Sequence, residues 1–303
     1  MRFHSIAAAI LITGFSLSAV EARDCGGELV RVSDRQPVLF TDMHKDISQA
    51  GMIAVGERHG LKEHVEAAAC LLETMNDASP KGSVSLVVEH IASRMQPEID
   101  RYRKDHPADA TGLGAALQWD KSGWPAWPIY QPLYETAFKG GNPVLGAAQE
   151  RGTPPPSQDA LDTKLDSDNA ARIVKTWAAI MNDAHCGTLD EARSVVYARV
   201  QAGRDIAMAA VGETVLKSGH KLMFYSGREH SRNDISVPHI VSRDTGAGTV
   251  SISLQETAVG ETPADRKAIL EKADGRFDYV WFIGKAPDED VCAVFKNRKK
   301  DGQ

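Results

Sequence analysis

Short runs of consecutive apolar residues alternate along the chain with longer stretches whose apolar positions recur every three or four residues. The runs cover residues 51–55, 84–88, 143–147, 222–226, 249–254 and 278–283. Runs of this length, bounded by Gly or Pro and rich in β-branched residues, predict buried strands. The periodic stretches cover 61–77, 97–104, 113–118, 134–139, 169–182, 190–218 and 263–273, and they predict helices. In 61–77, for example, Leu61, Val65, Ala68, Leu71, Leu72 and Met75 share one face. Residues 28–50 predict a short strand or two and a helical approach. Strands that alternate with helices in this way predict an α/β fold with a mostly parallel central sheet and helices on both faces.

Two regions depart from the alternation. Residues 119–130 hold three of the five tryptophans together with Pro125 and Pro128. Proline in a helix interior removes a hydrogen bond, so the pattern predicts a loop there. Residues 153–168 are polar and carry three consecutive prolines, which predicts a surface excursion and a candidate flap. Within 190–218, Val196, Val200, Arg204, Met208, Val211 and Val215 form the expected stripe. An arginine on such a stripe needs a carboxylate or an anionic ligand, because an unpaired buried charge is costly.

Candidate chemistry collects just beyond the predicted strands. Gly56-Glu57-Arg58-His59 follows the first clear strand, and Gly227-Arg228-Glu229-His230 follows the strand at 222–226. Glu89-His90 and Gln149–Arg151 follow two others. In a parallel sheet the carboxyl ends of the strands share one rim, where ligands bind. Two separated Gly-x-x-His motifs are therefore expected to meet in one cleft. His59, His230 and Glu57 suit a divalent metal with an open position for water. Glu57, His59, Glu89 and His230 equally suit metal-free activation of water by a general base. His64, His106 and His185 read as surface residues.

Composition narrows the class. The chain has 303 residues, 42% hydrophobic and 25% charged, with a net charge of -6. No basic block points to nucleic acid. Arg2 followed by apolar 6–19 and Val20-Glu21-Ala22 predicts a signal peptide over 1–22, leaving one α/β domain over 23–303. Ala22-Arg23-Asp24 before Cys25 is unlike a lipobox, so a soluble periplasmic or secreted protein is expected. Four cysteines in an exported chain predict disulfides. Closeness of domain termini favours Cys25–Cys292, leaving Cys70–Cys186.

Several segments in this order resemble the ChaN-like family of haem-binding uptake proteins. They are Val55-Gly56-Glu57-Arg58-His59, the loop from Trp119 through Trp124-Pro125 and Trp127 to Tyr130, Gln201-x-x-Arg204-Asp205 with Met208-Ala209, Gly227-x-x-His230-x-Arg232-x-Asp234 with Val237-Pro238, and Asp278-Tyr279-Val280-Trp281 with Cys292. The family lies in a wider group with Tiki-type metalloproteases and erythromycin esterases. The resemblance implies an exported protein of iron or haem uptake, haem ligated by a tyrosine, a homodimer, and a haem transporter or receptor as partner. Tyr130 is the first candidate ligand, Trp124 and Trp127 would cover the porphyrin, and Arg204 or Arg232 would meet its propionates. The wider group's feature is the paired Gly-x-x-His, with a divalent metal or a hydrolase as the alternative. The chain departs from the family at Gly60, where Asp is usual, at Ser236, where Gly is usual, and in lacking a lipobox.

Overall fold

A computed structural model describes residues 24–286 and 292–293 of the chain; the expected signal peptide lies outside them. Its strands, numbered in chain order, are β1 (Glu28–Arg31), β2 (Gln36–Pro37), β3 (Met52–Glu57), β4 (Val84–Ala92), β5 (Val144–Ala148), β6 (Lys221–Gly227), β7 (Thr249–Thr257) and β8 (Tyr279–Lys285). They form one sheet in the order β2-β1-β8-β7-β3-β6-β4-β5. The six strands from β8 to β5 pair in parallel, and β1 and β2 add an antiparallel edge. The α/β expectation holds.

The helices are α1 (Phe40–Gln49), α2 (Lys62–Asp77), α3 (Gln96–Asp105), α4 (Leu113–Ala116), α5 (Trp127–Gly140), α6 (Gln158–Leu165), α7 (Ser167–Ala184), α8 (Glu191–Lys217), α9 (Val237–Thr245) and α10 (Pro263–Ala273). Strand parity sorts the core into two layers, because successive side chains point to opposite faces. Ile53, Val55, Leu86, Val88, Met223 and Tyr225 pack with α2 and α5. Met52, Ala54, Val87, Leu222 and Phe224 pack with α7, α8 and α9. A smaller cluster joins α10 to β1 and β8 through Leu270, Phe277, Val280 and Phe282.

The neighbours β3 and β6 define the switch point. From β3 the chain passes through α2 to β4, on the far side of β6. From β6 it passes through α9 to β7, on the far side of β3. Connections leaving adjacent strands in opposite directions open a crevice at their carboxyl ends. Both Gly-x-x-His motifs sit there.

Four expectations need correction. α5 begins at Trp127 rather than near 134: Pro128 sits in the first helical turn, where no N–H is needed, and Pro132 is accommodated inside. The segment 153–168 contains α6, capped by Ser157, with Leu161 and Leu165 buried against the core. α9 went unpredicted because its run is short and polar on one side. The stripe of α8 holds at Met208 and Val215, which are buried, but is rotated before them: Val196 is 46% exposed, while Ala198, Ala202, Asp205, Ala209 and Gly212 are buried. Small residues face inward because α8 lies close to its neighbours; a Cβ at Gly212 would stand 3.1 Å from Leu222.

The disulfides are also re-paired. They join Cys25 to Cys70 and Cys186 to Cys292, with Cα atoms 5.7 and 5.6 Å apart. Cys25 turns over the sheet face to α2, and Cys292 meets the turn between α7 and α8. Closeness of the termini does not decide which sulfurs meet.

Candidate functional site

Each motif makes room for the other. A Cβ on Gly56 would stand 2.7 Å from the Arg228 Cα and 3.1 Å from the Ser231 Cβ. A Cβ on Gly227 would stand 2.9 Å from two atoms of the His59 ring. Neither glycine has positive φ, so each is required for space and not for a tight turn. Gly60 differs: its φ is +82°, and its Cβ position abuts Pro125 of the tryptophan loop.

Glu57, the last residue of β3, is buried at the centre of one half of the site. Its Oε1 lies 2.8 Å from His59 Nδ1, 2.8 Å from His90 Nε2 and 3.2 Å from the Tyr130 hydroxyl. Its Oε2 accepts a 2.5 Å bond from the Tyr225 hydroxyl. Burial works to raise the Glu57 pKa, but the bonds from His59 and His90 outweigh it and hold the carboxyl at about 2. Burial works to lower the His59 pKa, and the Glu57 bond with the Glu89 and Glu57 charges leaves it raised. Both tyrosines are pushed up by burial and by the Glu57 charge. The Trp124 ring stands edge-on to both imidazoles, with centroids 4.8 Å from His59 and 4.6 Å from His90.

Glu89 centres the second half, on the opposite sheet face. Its Oε2 accepts the Gly227 N–H at 2.8 Å; its Oε1 pairs with Arg204 and lies 3.5 Å from His230 Nε2. Burial opposes ionisation, yet the charges of His230 and Arg204 hold the Glu89 carboxyl at about 2. On α8, buried Asp205 lies 2.7 Å from His230 Nδ1 and accepts the Trp177 indole N–H at 3.0 Å. Burial raises the Asp205 pKa. The two halves touch through Gly227, which carries the His59 ring on one side and bonds Glu89 on the other. The motifs therefore share one site, although their histidines join different carboxylates.

Other expected residues are not open to a ligand. Tyr130 and Trp127 are buried behind Glu57 as part of the core. Arg232 is 2% exposed and tied to Asp234 and Glu229, so it is not presented to a ligand. Arg151 bonds the Ser122 carbonyl and pins the tryptophan loop. His64 is buried rather than on the surface: its Nδ1 accepts the Arg58 N–H, and burial with the Arg228 charge lowers its pKa to about 4.

His90, singled out with Glu89 but given no role, and Asp205, quoted only in the resemblance, each had a signal for the place it takes. His90 shares strand parity with Leu86 and Val88, which places it on the Glu57 face and Glu89 on the other. Asp205 stands at helical spacing from Ala198, Ala202 and Ala209, the face that packs inward.

The chemistry available follows from these contacts. Glu57, His59 and His90 each offer a ligand atom, and these atoms lie within 4.8 Å of one another. His230, expected with the first two, stands outside that group. Its Asp205 contact orients the ring as in an Asp–His general-base pair, with Nε2 turned to Glu89.

A family model described as "Haem-binding uptake, Tiki superfamily, ChaN" matches residues 43–241. A solved structure of ChaN from Campylobacter jejuni, described by its cofacial haem binding, is 20% identical, covering 85% of this chain and 96% of its own, with a TM-score of 0.64. That likeness establishes the fold. An erythromycin esterase structure is 10% identical, covering 87% and 99%, with a TM-score of 0.46, too distant to bear on function. No curated protein matches the chain.

Proposed function

Because the chain belongs to the haem-binding uptake family of ChaN in the Tiki superfamily, we propose that it is an exported haem-binding protein of iron or haem uptake. Two disulfides fit an oxidising compartment. A transporter or receptor that takes the haem, and a homodimer, belong to the same proposal.

The observation that carries the ligand assignment is on α8. This helix runs against the strands. Its end at Lys217 leads within a few residues into β6, and Arg204 reaches Glu89 at the rim. The first turns of α8 therefore stand above the rim, on the Glu89 side of the site. Tyr197 is seven residues before Arg204, two turns or about 10 Å along the same side of the helix. It is 39% exposed and stacks on His185 with ring centroids 5.2 Å apart. A phenolate ligates ferric haem and a guanidinium pairs with propionate. Tyr197 replaces Tyr130 as the ligand, because Tyr130 has no exposed surface and gives its hydroxyl to Glu57. Arg204, about one quarter exposed, keeps donors for a propionate after pairing with Glu89. Water activation by His230 takes second place, since Nε2 faces a carboxylate.

Haemin titration tests this. The wild-type chain should give a saturable Soret band, and Tyr197→Phe should weaken binding tenfold or more and move the band. Tyr130→Phe should leave it unchanged. The opposite ranking of the two variants would return the ligand to Tyr130, and no saturable band in the wild type would end the haem reading.

A further inference from the structure

We propose that Glu57, His59 and His90 form a site for one divalent transition-metal ion of the zinc or ferrous class, independent of the haem surface on α8. Three donors crowd one oxygen: His59 Nδ1 at 2.8 Å, His90 Nε2 at 2.8 Å and the Tyr130 hydroxyl at 3.2 Å all address Glu57 Oε1. A carboxylate oxygen has two lone pairs, so the protein alone does not satisfy all three. A cation resolves the conflict by replacing the imidazole protons. Ligand atoms about 2.0–2.2 Å from a common ion stand roughly 3.3 Å apart in a tetrahedral site. The three atoms already lie within 4.8 Å of one another.

The surroundings are those of a metal site. The hydroxyls of Tyr225 and Tyr130 fix the Glu57 carboxylate from outside, as partners behind ligands do. His90 Nδ1 is buried without a hydrogen-bond partner among the described residues, so the Nε2 contact with Glu57 is the ring's one polar bond, and a cation at Nε2 would take the place of that proton. Glu89, beyond Gly227, adds a second negative charge near the His59 ring, with Arg204 as its counter-charge. His59 is 39% exposed at the mouth while Glu57 and His90 are closed off. The arrangement leaves a remaining coordination position toward solvent, where water or a small anionic ligand binds. Two imidazoles and one carboxylate suit Zn2+ or Fe2+ and disfavour Ca2+ and Mg2+, which take oxygen ligands. His230 is not a ligand, because Asp205 holds its Nδ1 and Glu89 faces its Nε2.

The test uses the whole chain, stripped with a chelator and dialysed. Zn2+ calorimetry should give one equivalent per chain, Co2+ should give visible d–d absorption, and Zn2+ should raise Tm. His90→Gln should weaken Zn2+ binding a hundredfold or more and abolish the Tm shift, while His230→Gln keeps both. If His90→Gln does not fold, His59→Gln serves, because that ring is at the mouth. Stoichiometric Zn2+ binding at unchanged affinity in a folded His90→Gln or His59→Gln variant overturns the site, as does a wild type that binds none. Haemin titration of the same variants separates the two proposals: loss of Zn2+ with an intact Soret band leaves the haem reading standing.

Discussion

At the scale of single residues, the two glycines differ in what lies opposite. The position a Cβ would take on Gly56 falls 2.7 Å from backbone, the Arg228 Cα, which moves only if the motif moves. At Gly227 the opposing atoms belong to the His59 ring, part of whose surface is open. Gly56→Ala should therefore cost about 3 kcal/mol, the upper end of the overpacking range, and Gly227→Ala about 1 kcal/mol. Urea denaturation of both variants checks the ranking, and equal costs would contradict it. The sequence placed a glycine in each motif. That each vacates space for the other motif became legible only once the strands were neighbours.

At the scale of elements, α8 shows where periodicity misleads. The chain offers two helical stripes there, one of valines with Arg204 and one of alanines with Asp205. The larger side chains made the first look like the core face. Packing chose the second over the first half of the helix, where α7 and the sheet leave room for small residues, and kept Met208 and Val215 of the first stripe inside farther along. Ala202→Leu should cost about 1–3 kcal/mol by overpacking, and Val196→Ser should stay within about 0.5 kcal/mol. A larger loss at Val196 than at Ala202 in thermal unfolding would restore the valine stripe. The prolines of α5 make a related point: Pro128 marks a helix start rather than a loop, since its missing N–H has no partner in the first turn. On β4, parity alone separates the adjacent Glu89 and His90 between two half-sites, and that much was readable from the alternation.

At the scale of the whole molecule, the site couples folding to pH. Glu57 and Glu89 have folded pKa values of about 2 against the ordinary carboxylate value of 4.5. A depressed carboxylate contributes stability in full above its unfolded pKa and loses it as pH falls through the folded one. Stability of the metal-free protein should therefore drop between about pH 4.5 and 2, by on the order of a few kcal/mol from the pair. His59 has the opposite sign. Its pKa is raised, so its contribution is complete below the ordinary imidazole value of 6.5 and is lost as pH rises through the folded value. Urea midpoints measured across pH should show both limbs, and Glu89→Gln should flatten the acid one. A wild-type midpoint that does not change between pH 4.5 and 2 would show that these carboxylates do not carry the linkage.

Local pattern carried the order of the six parallel strands and of the helices other than α6 and α9, the parallel sheet, and the placement of two Gly-x-x-His motifs at strand ends. Those follow from local periodicity and turn chemistry, which act over a few residues. Only the tertiary structure decided the partners: which cysteines join, which face of α8 packs, that Tyr130 and Arg232 are enclosed, and that His59 goes with His90 while His230 goes with Asp205. Each of these depends on groups tens to hundreds of residues apart, brought together by strand order and side-chain parity. Parity is local to each strand, but strand order is not encoded in any one stretch of the chain.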